Sequence, residues 1–184
     1  FRFTFMTGEY AHTRKVPGIE YRMSPAERTL ADEFNDAGYH TAYVGKWHLD
    51  GSNAREHYVP PDRRGEFQYW MGYENNNNQH ECYVYGSEDE TPTRLEGYET
   101  DALTTMFIDH VESHVGDGDD YQPFFASLSV QPPHGPYVGP TNPDYGARQI
   151  HPSDIELRQN VPDVPWIRER ASVDLAGYYS MVEN

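Results

Sequence analysis

Two short apolar segments, separated by helical patterns, constrain the fold of this chain more than any other feature. Residues 39–45 are rich in β-branched and aromatic side chains, and residues 124–130 form an apolar run, so each segment predicts a β-strand. Residues 24–37 and 100–115 carry apolar side chains at helical spacing, and a last helix is predicted from near Arg168. Because strands that alternate with helices favour a parallel sheet, we expect an α/β fold.

The helix predicted over residues 24–37 has the clearest boundaries in the chain. Ser24 and Glu27 have the spacing of a capping box, and Pro25 suits the first helical turn. Gly38 stands where a left-handed residue would end the helix. We interpret residues 1–8 as a short apolar segment that ends at its glycine.

Composition excludes several classes of function. The 184 residues include 14 Lys and Arg against 30 Asp and Glu, and this net charge of −16 argues against nucleic acid as a partner. No apolar run approaches the roughly 20 residues of a transmembrane helix, so no membrane span is expected. Cys82 is the only cysteine, which excludes an internal disulfide and a multi-thiolate zinc site.

Charged and titratable side chains follow both predicted strands, at the edge where parallel sheets bind their ligands. The first strand leads into Lys46 and His48, and the second leads into His134. On a continuing strand Lys46 and His48 would share one face, where they could hold an anion and move a proton. His134 stands between prolines, which restrict its backbone and suit a general acid. Alone, a lysine at a strand end is usually solvated and a histidine beside proline is usually structural, but their convergence on one edge of the sheet makes an anion site a serious alternative.

Three segments resemble the type I sulfatases, a family of the alkaline-phosphatase-like superfamily. Residues 38–48, GYHTAYVGKWH, are similar to the second sulfatase signature at every position, and residues 2–8, RFTFMTG, to the end of the first. Residues 124–136, FFASLSVQPPHGP, resemble the family's apolar strand followed by Pro-His-x-Pro. Phe1 departs from the pattern, since the family has a small residue there. The resemblance implies part of a mainly parallel sheet with helices on both faces.

The resemblance also implies roles for four residues. Arg2 is similar to the arginine that stabilises hydrated formylglycine, and Lys46 to the lysine that bridges this group and the sulfate. His48 is similar to the base that takes a proton from the formylglycine hydroxyl. His134 is similar to the histidine that contacts the sulfate and helps to protonate the leaving alcohol. These types suit the chemistry, because negative charge builds on the bridging oxygen during cleavage.

Two further groups are implied by the family rather than by residues of this chain. The Cys or Ser precursor of formylglycine would lie four positions before Arg2, upstream of residue 1. The family also implies Ca²⁺, whose ligands are expected outside this chain, so we expect no metal ligand within it. Residues 1–184 would thus be part of an amino-terminal catalytic domain, incomplete at both ends. Within it, residues 49–97 would be a variable excursion and residues 131–165 a proline-rich loop region at the active site.

Several other features favour a structural role over a functional one. Cys82 lacks the Pro and Arg of the sulfatase signature at the required spacing, so it is not expected to be the nucleophile. Residues 75–78, four asparagines, are expected to form a loop, and residues 116–120, GDGDD, a solvated turn rather than a calcium loop. Three aromatic residues of the excursion are expected in the core, with stacking on a sugar as the alternative: Trp70, Tyr73 and Tyr83.

The activity implied for the whole protein is hydrolysis of a small-molecule or carbohydrate sulfate ester to an alcohol and sulfate. Two alternatives stay open: a phosphonate or phosphate ester hydrolase of the same superfamily, and a homologue that binds an anion without catalysis. The isolated chain is expected to be inactive, because its nucleophile would lie upstream. Family habit favours a periplasmic or secreted location, with the cytoplasm as the alternative in a salt-adapted host.

Overall fold

The computed structural model describes residues 1–86, 90–114, 122–141 and 147–183 of the chain. In chain order the elements are α1 (Arg2–Thr7), α2 (Leu30–Asp36), β1 (His40–Lys46), β2 (Tyr69–Tyr73), β3 (Tyr83–Val84), β4 (Thr93–Arg94), α3 (Glu99–His114), β5 (Phe124–Ser129) and α4 (Pro165–Val182). Two short 3₁₀ helices cover Pro61–Arg63 and Pro152–Asp154. Among the described residues, no helix has the length and apolar character that crossing a bilayer requires.

The main sheet has three strands in the order β2-β1-β5, and both pairings are parallel. The central strand, β1, places Lys46 beside Tyr73 of β2 and Gly45 beside Ser129 of β5. Strands β3 and β4 form a separate antiparallel pair. The parallel sheet and its helices confirm the predicted α/β class.

The core surrounds β1, whose residues are buried from Thr41 to the end of the strand. Tyr43 meets Trp47 edge to face, with ring centroids 5.1 Å apart. On α2, Phe34 stacks on Phe125 of β5 at 4.2 Å. Because β1 is buried between two neighbours, its last residues are held in one position at the carboxyl edge of the sheet.

The first of the predicted helices begins later than its sequence signal indicated. It starts at Leu30, and the expected start at Ser24 is wrong. Thr29 caps the helix, and Asp32 completes a capping box by accepting from the Thr29 N–H at 2.7 Å. The Thr29 hydroxyl also donates to the carbonyl oxygen of Gly65 at 2.6 Å. Among the described contacts, Ser24 makes no comparable contact with a distant segment.

The other element boundaries agree with the sequence predictions, and the structure adds elements that were not predicted. Gly38 adopts the expected left-handed conformation with φ 81°, and α3 and β5 lie within one residue of their predicted bounds. Residues 1–8 were expected only as an apolar segment, whereas they form α1 and end at Gly8 with φ 70°. Strand β2 was not predicted, and it lies inside the 49–97 excursion. Residues 116–120 lie outside the described residues.

Candidate functional site

Arg2, on the first turn of α1, joins three elements through one nitrogen atom. Its Nη1 donates to the Lys46 carbonyl oxygen at 2.7 Å, to the Ser129 hydroxyl at 2.5 Å and to the Tyr43 hydroxyl at 3.3 Å. The Tyr43 hydroxyl donates to the same Lys46 carbonyl oxygen. The guanidinium is therefore fixed against the carboxyl ends of β1 and β5.

Lys46 carries a positive charge into the protein at the end of β1. Its side chain is almost inaccessible, with only 4% of the residue exposed, and its Nζ lies 3.4 Å from the Asn75 side-chain oxygen. Burial, together with the charge of Arg2, lowers the pKa of Lys46 to about 8, although Glu99 and Glu74 act in the opposite direction. The ammonium is therefore mostly protonated at pH 7, in surroundings that hydrate it poorly, which favours an anion as its partner.

Two buried carboxylates build the loops that carry the histidines. Glu74 follows β2 and accepts three backbone N–H groups of the segment after β1, from residues 49, 50 and 52, at 3.0–3.2 Å. Glu99 begins α3 and accepts from the Tyr73 hydroxyl at 2.5 Å and from the Gln131 N–H at 2.9 Å. Burial raises the pKa of both carboxyl groups. Glu74 thus shapes the turn that presents His48, and Glu99 anchors the start of the loop that carries His134.

His48 lies beyond the end of β1 and does not continue the strand. Its φ of 54° is left-handed, so the expected sharing of one strand face with Lys46 is wrong. The ring is half-buried, and its Nε2 has no hydrogen-bond partner among the described residues. Burial, together with the positive charges of Lys46, Arg2 and His134, lowers the pKa of His48 to about 4. His48 is therefore neutral at pH 7, with a ring nitrogen that can accept a proton.

His134 occupies the loop that follows β5, and its side chain is exposed. Its N–H donates to the Gln131 carbonyl oxygen at 3.1 Å, and its own carbonyl oxygen accepts from the Gln79 side chain at 3.0 Å. Its Nδ1 lies 2.7 Å from the Gly135 carbonyl oxygen. Since a carbonyl can only accept, this contact assigns the proton to Nδ1 and directs Nε2 to other partners.

The four predicted site residues therefore meet at one edge of the sheet. The Arg2 guanidinium contacts the Lys46 backbone, and the positive charges of Arg2, Lys46 and His134 all lower the pKa of His48. Sequence reasoning assigned no role to the residues that support the site. Three of them lie within the sulfatase-like segments, namely Tyr43, Ser129 and Gln131, and three lie outside these segments, namely Glu74, Asn75 and Glu99. Asn75 lies in the loop expected for the asparagine run, yet it contacts the Lys46 ammonium.

The residues expected in the core are found there. Trp70, Tyr73 and Tyr83 are all buried, so none of them presents a face for stacking on a sugar. Cys82 is 1% exposed, and burial raises the pKa of its thiol well above the usual range. A buried, protonated thiol is a poor nucleophile, in agreement with the structural role predicted for Cys82.

A cavity of about 380 Å³ borders the site. Arg2 and His48 line one part of it, and apolar side chains of the loop after α1, including Ile19 and Tyr21, line the rest. The cavity therefore combines a positive group, a neutral imidazole and an apolar wall.

A family model described as Sulfatase matches residues 1–179 of this chain. The chain belongs to the sulfatase family. An ulvan-active sulfatase from Formosa agariphila is 29% identical over 179 residues, which cover 97% of this chain and 34% of that protein. The chain thus spans about a third of the length of this curated relative.

Solved structures agree with the sulfatase assignment at the level of the fold. A Bacteroides fragilis protein assigned as the sulfatase YidJ matches with a TM-score of 0.81 at 21% identity, over 98% of this chain and 44% of that one. A structure of BT4656 with its substrate D-glucosamine-2-N,6-O-disulfate matches with a TM-score of 0.58 at 22% identity, over 76% of this chain and 25% of that one. The chain therefore holds part of an alkaline-phosphatase-like sulfatase fold.

Sulfatases as a family use Ca²⁺, which prefers six to eight oxygen ligands. Within the described ranges, no three carboxylates gather closely enough to share a cation, and the one group that does gather consists of histidines. The acidic residues of the described chain therefore do not fit a calcium site by themselves.

Proposed function

We propose that Arg2, Lys46, His48 and His134 form part of the sulfate site of an enzyme that hydrolyses a sulfate ester to an alcohol and sulfate. The observation that carries this proposal is the burial of the Lys46 side chain at the carboxyl end of β1, where the Arg2 guanidinium contacts the Lys46 carbonyl oxygen and its charge acts on the ammonium. A buried cation at this edge of a parallel sheet is a feature of oxyanion sites, where charge must be stabilised without reorganisation of water.

In this proposal the cations bind the ester and the histidines move protons. Lys46 holds the sulfate oxygens, and its charge stabilises the negative charge that develops as the ester bond breaks. When it acts as the acid, His134 is doubly protonated: its Nδ1–H donates to the Gly135 carbonyl oxygen, and its Nε2–H contacts the sulfate and delivers a proton to the leaving alcohol oxygen. His48, neutral at pH 7, would accept a proton from the formylglycine hydroxyl through its unpartnered Nε2, the proton transfer by which sulfate would be expelled and the aldehyde regenerated.

The residues of this chain also fit the formylglycine that sulfatases use. That group supplies, as its hydrate, the hydroxyl nucleophile that attacks sulfur, and the family pattern puts it four positions before Arg2. The guanidinium of Arg2 and the unpartnered nitrogen of His48 border the same cavity, where they would hold the hydroxyls and accept a proton.

For the substrate we propose a sulfated carbohydrate, within the broader class of small sulfate esters. The sulfatase-fold protein BT4656 binds a disulfated glucosamine, and the Formosa relative is named as ulvan-active. The cavity beside Arg2 and His48 has a volume of about 380 Å³, in the range of small-molecule sites, so it can take the alcohol part of the ester. Export from the cytoplasm stays a prediction from family habit.

The binding half of the proposal is tested with inorganic sulfate and the purified chain in isothermal titration calorimetry. The chain has only two lysines, so Lys46→Met has a natural matched control in Lys15→Met, at an exposed loop position. We expect sulfate affinity to fall at least tenfold in Lys46→Met and to stay within twofold in Lys15→Met. Equal affinity in both variants would contradict the assignment of the anion to Lys46.

The catalytic half is tested with the full-length protein that contains this chain. We expect hydrolysis of an aryl sulfate to exceed that of the matched aryl phosphonate and phosphate, and to fall in His48→Gln and His134→Gln. Preference for the phosphonate would favour the alternative hydrolase, and absence of turnover with intact sulfate binding would favour the non-catalytic homologue.

A further inference from the structure

A second cluster of titratable side chains lies at the opposite end of β1 from the sulfate site. His40 begins β1, and His110 and His114 stand one turn apart near the end of α3. Each of the three rings offers a nitrogen atom within 4.8 Å of the others. Lys46 follows His40 by six positions along β1, which corresponds to about 20 Å, so the two sites do not share ligands.

The distances between these nitrogens suit a metal ion. The Nε2 atoms of His40 and His110 face each other at 3.2 Å. Two nitrogen ligands of a tetrahedral zinc ion, each about 2.0–2.1 Å from the metal, lie about 3.3 Å apart. The pair of histidines on α3 also has the i, i+4 spacing that puts two imidazoles on one helix face.

Two of the three rings also hydrogen-bond to neighbouring groups, as metal-ligating histidines usually do. The Nδ1 of His114 donates to the His110 carbonyl oxygen at 2.9 Å, which leaves Nε2 of His114 free of a proton. The side chain of Gln68 hydrogen-bonds to the His40 ring. The ring of His114 stacks on that of His40 at 4.1 Å, so it must rotate for all three lone pairs to converge. His114 is half-buried at the end of its helix.

The surroundings give a cation access to the three histidines. A cleft of about 800 Å³ reaches His110, and Asp101 and Asp109 line it. These carboxylates place negative charge along the route that a cation would take.

We propose that His40, His110 and His114 bind a divalent transition metal, with Zn²⁺ as the favoured ion and water as a fourth ligand. Three imidazoles match the ligand preference of zinc, whereas Ca²⁺ and Mg²⁺ prefer oxygen. The metal joins the first residue of the central strand to the last turn of α3, so its role is to stabilise this edge of the domain. This site is independent of the sulfate site and of the proposed hydrolysis.

The test uses the purified chain without a histidine tag, titrated with Zn²⁺ by calorimetry and with Co²⁺ by visible absorption. We expect one metal per chain, tetrahedral Co²⁺ bands, and a melting temperature that rises with Zn²⁺. His114→Ala and His40→Gln should each weaken binding at least tenfold and remove the thermal shift. His12→Ala is the matched control, because His12 is exposed and lies outside the cluster.

The result that would overturn the proposal is the absence of stoichiometric binding, or binding that both cluster variants retain at the affinity of the unchanged chain. Far-UV circular dichroism of the metal-free variants establishes that each one folds before its affinity is compared. His114→Ala alters a half-buried position at a helix end, so it tests the site with little cost to the fold. An intact fold with lost zinc binding supports the proposal.

Discussion

Replacement of Gly45 by alanine should destabilise the chain through a clash between its two best-paired strands. Gly45 has φ 106°, and a Cβ atom there would overlap the Ser129 carbonyl oxygen and lie 2.9 Å from its carbon. Gly38 provides the control, because its φ of 81° is also unfavourable for alanine but nothing lies within 4 Å of a Cβ. The two variants therefore share the backbone penalty and differ in the overlap.

The expected magnitudes follow from these two terms. The left-handed backbone costs about 1–2 kcal/mol in either variant. Overpacking against β5 costs a further 1–3 kcal/mol, roughly, in Gly45→Ala alone. With a urea slope of about 2 kcal/mol per molar, the midpoint of Gly45→Ala should lie about 0.5–1.5 M below that of Gly38→Ala. Sulfate affinity should also fall in Gly45→Ala, since Arg2 binds both Ser129 and the Lys46 backbone.

Urea unfolding followed by tryptophan fluorescence and by circular dichroism measures both midpoints. The reasoning is refuted if Gly45→Ala unfolds at the same midpoint as Gly38→Ala, or at a higher one. A change of slope without a change of midpoint would also count against it, because a steric clash in the native state lowers stability without altering the surface exposed on unfolding.

Two further predictions concern the buried charges of the site. Because the pKa of Lys46 is lowered to about 8, its ammonium loses its proton as pH rises through 8 rather than through 10.5, and sulfate affinity measured by calorimetry should fall between pH 7 and 9. Lys46→Arg should remove this decline in affinity. An unchanged decline in Lys46→Arg would contradict the assignment of the anion to Lys46. Glu74→Ala leaves three backbone donors of the segment after β1 unpaired and should lower the free energy of unfolding by about 3 kcal/mol or more, against about 1 for Glu74→Gln. Equal urea midpoints for the two Glu74 variants would show that water replaces the carboxylate.

The helices and strands that could be predicted are those whose sequence signals all lie within the element itself. Strand β1, strand β5 and helix α3 combine composition, spacing and end signals within one short segment each, and their positions are confirmed. Strand β2 was missed because Tyr69–Tyr73 consists of aromatic residues, a methionine and a glycine with no alternation. It becomes a strand through pairing with β1, a contact that no local pattern encodes.

The start of α2 shows a competition between two similar signals. Ser24 and Glu27 have the same spacing as Thr29 and Asp32, so the sequence offers two capping boxes. The second is used, and the Thr29 hydroxyl makes an additional contact with the Gly65 carbonyl oxygen. A distant partner therefore favours one of two locally plausible starts.

The site was predictable to the extent that strand ends and motifs point to it. Lys46, His48 and His134 follow predicted strands, and Arg2 belongs to a motif that resembles the first sulfatase signature. Glu99 and Asn75 were not predictable, because their importance comes from what they touch rather than from their neighbours in the chain. Buried carboxylates that accept backbone N–H groups carry no sequence signal of their own.

The three contacts of the Arg2 guanidinium have a consequence for how the site is assembled. They close loops of 41, 44 and 127 residues, so the site cannot form by local folding. Loop-closure entropy grows slowly, by about 0.6 kcal/mol for each doubling of length, yet it must be overcome before these contacts contribute. The anion site should therefore appear late in refolding, together with the pairing of β1 and β5. An anion bound there would stabilise the pairing of β1 with β5, and its release would be the first event of unfolding.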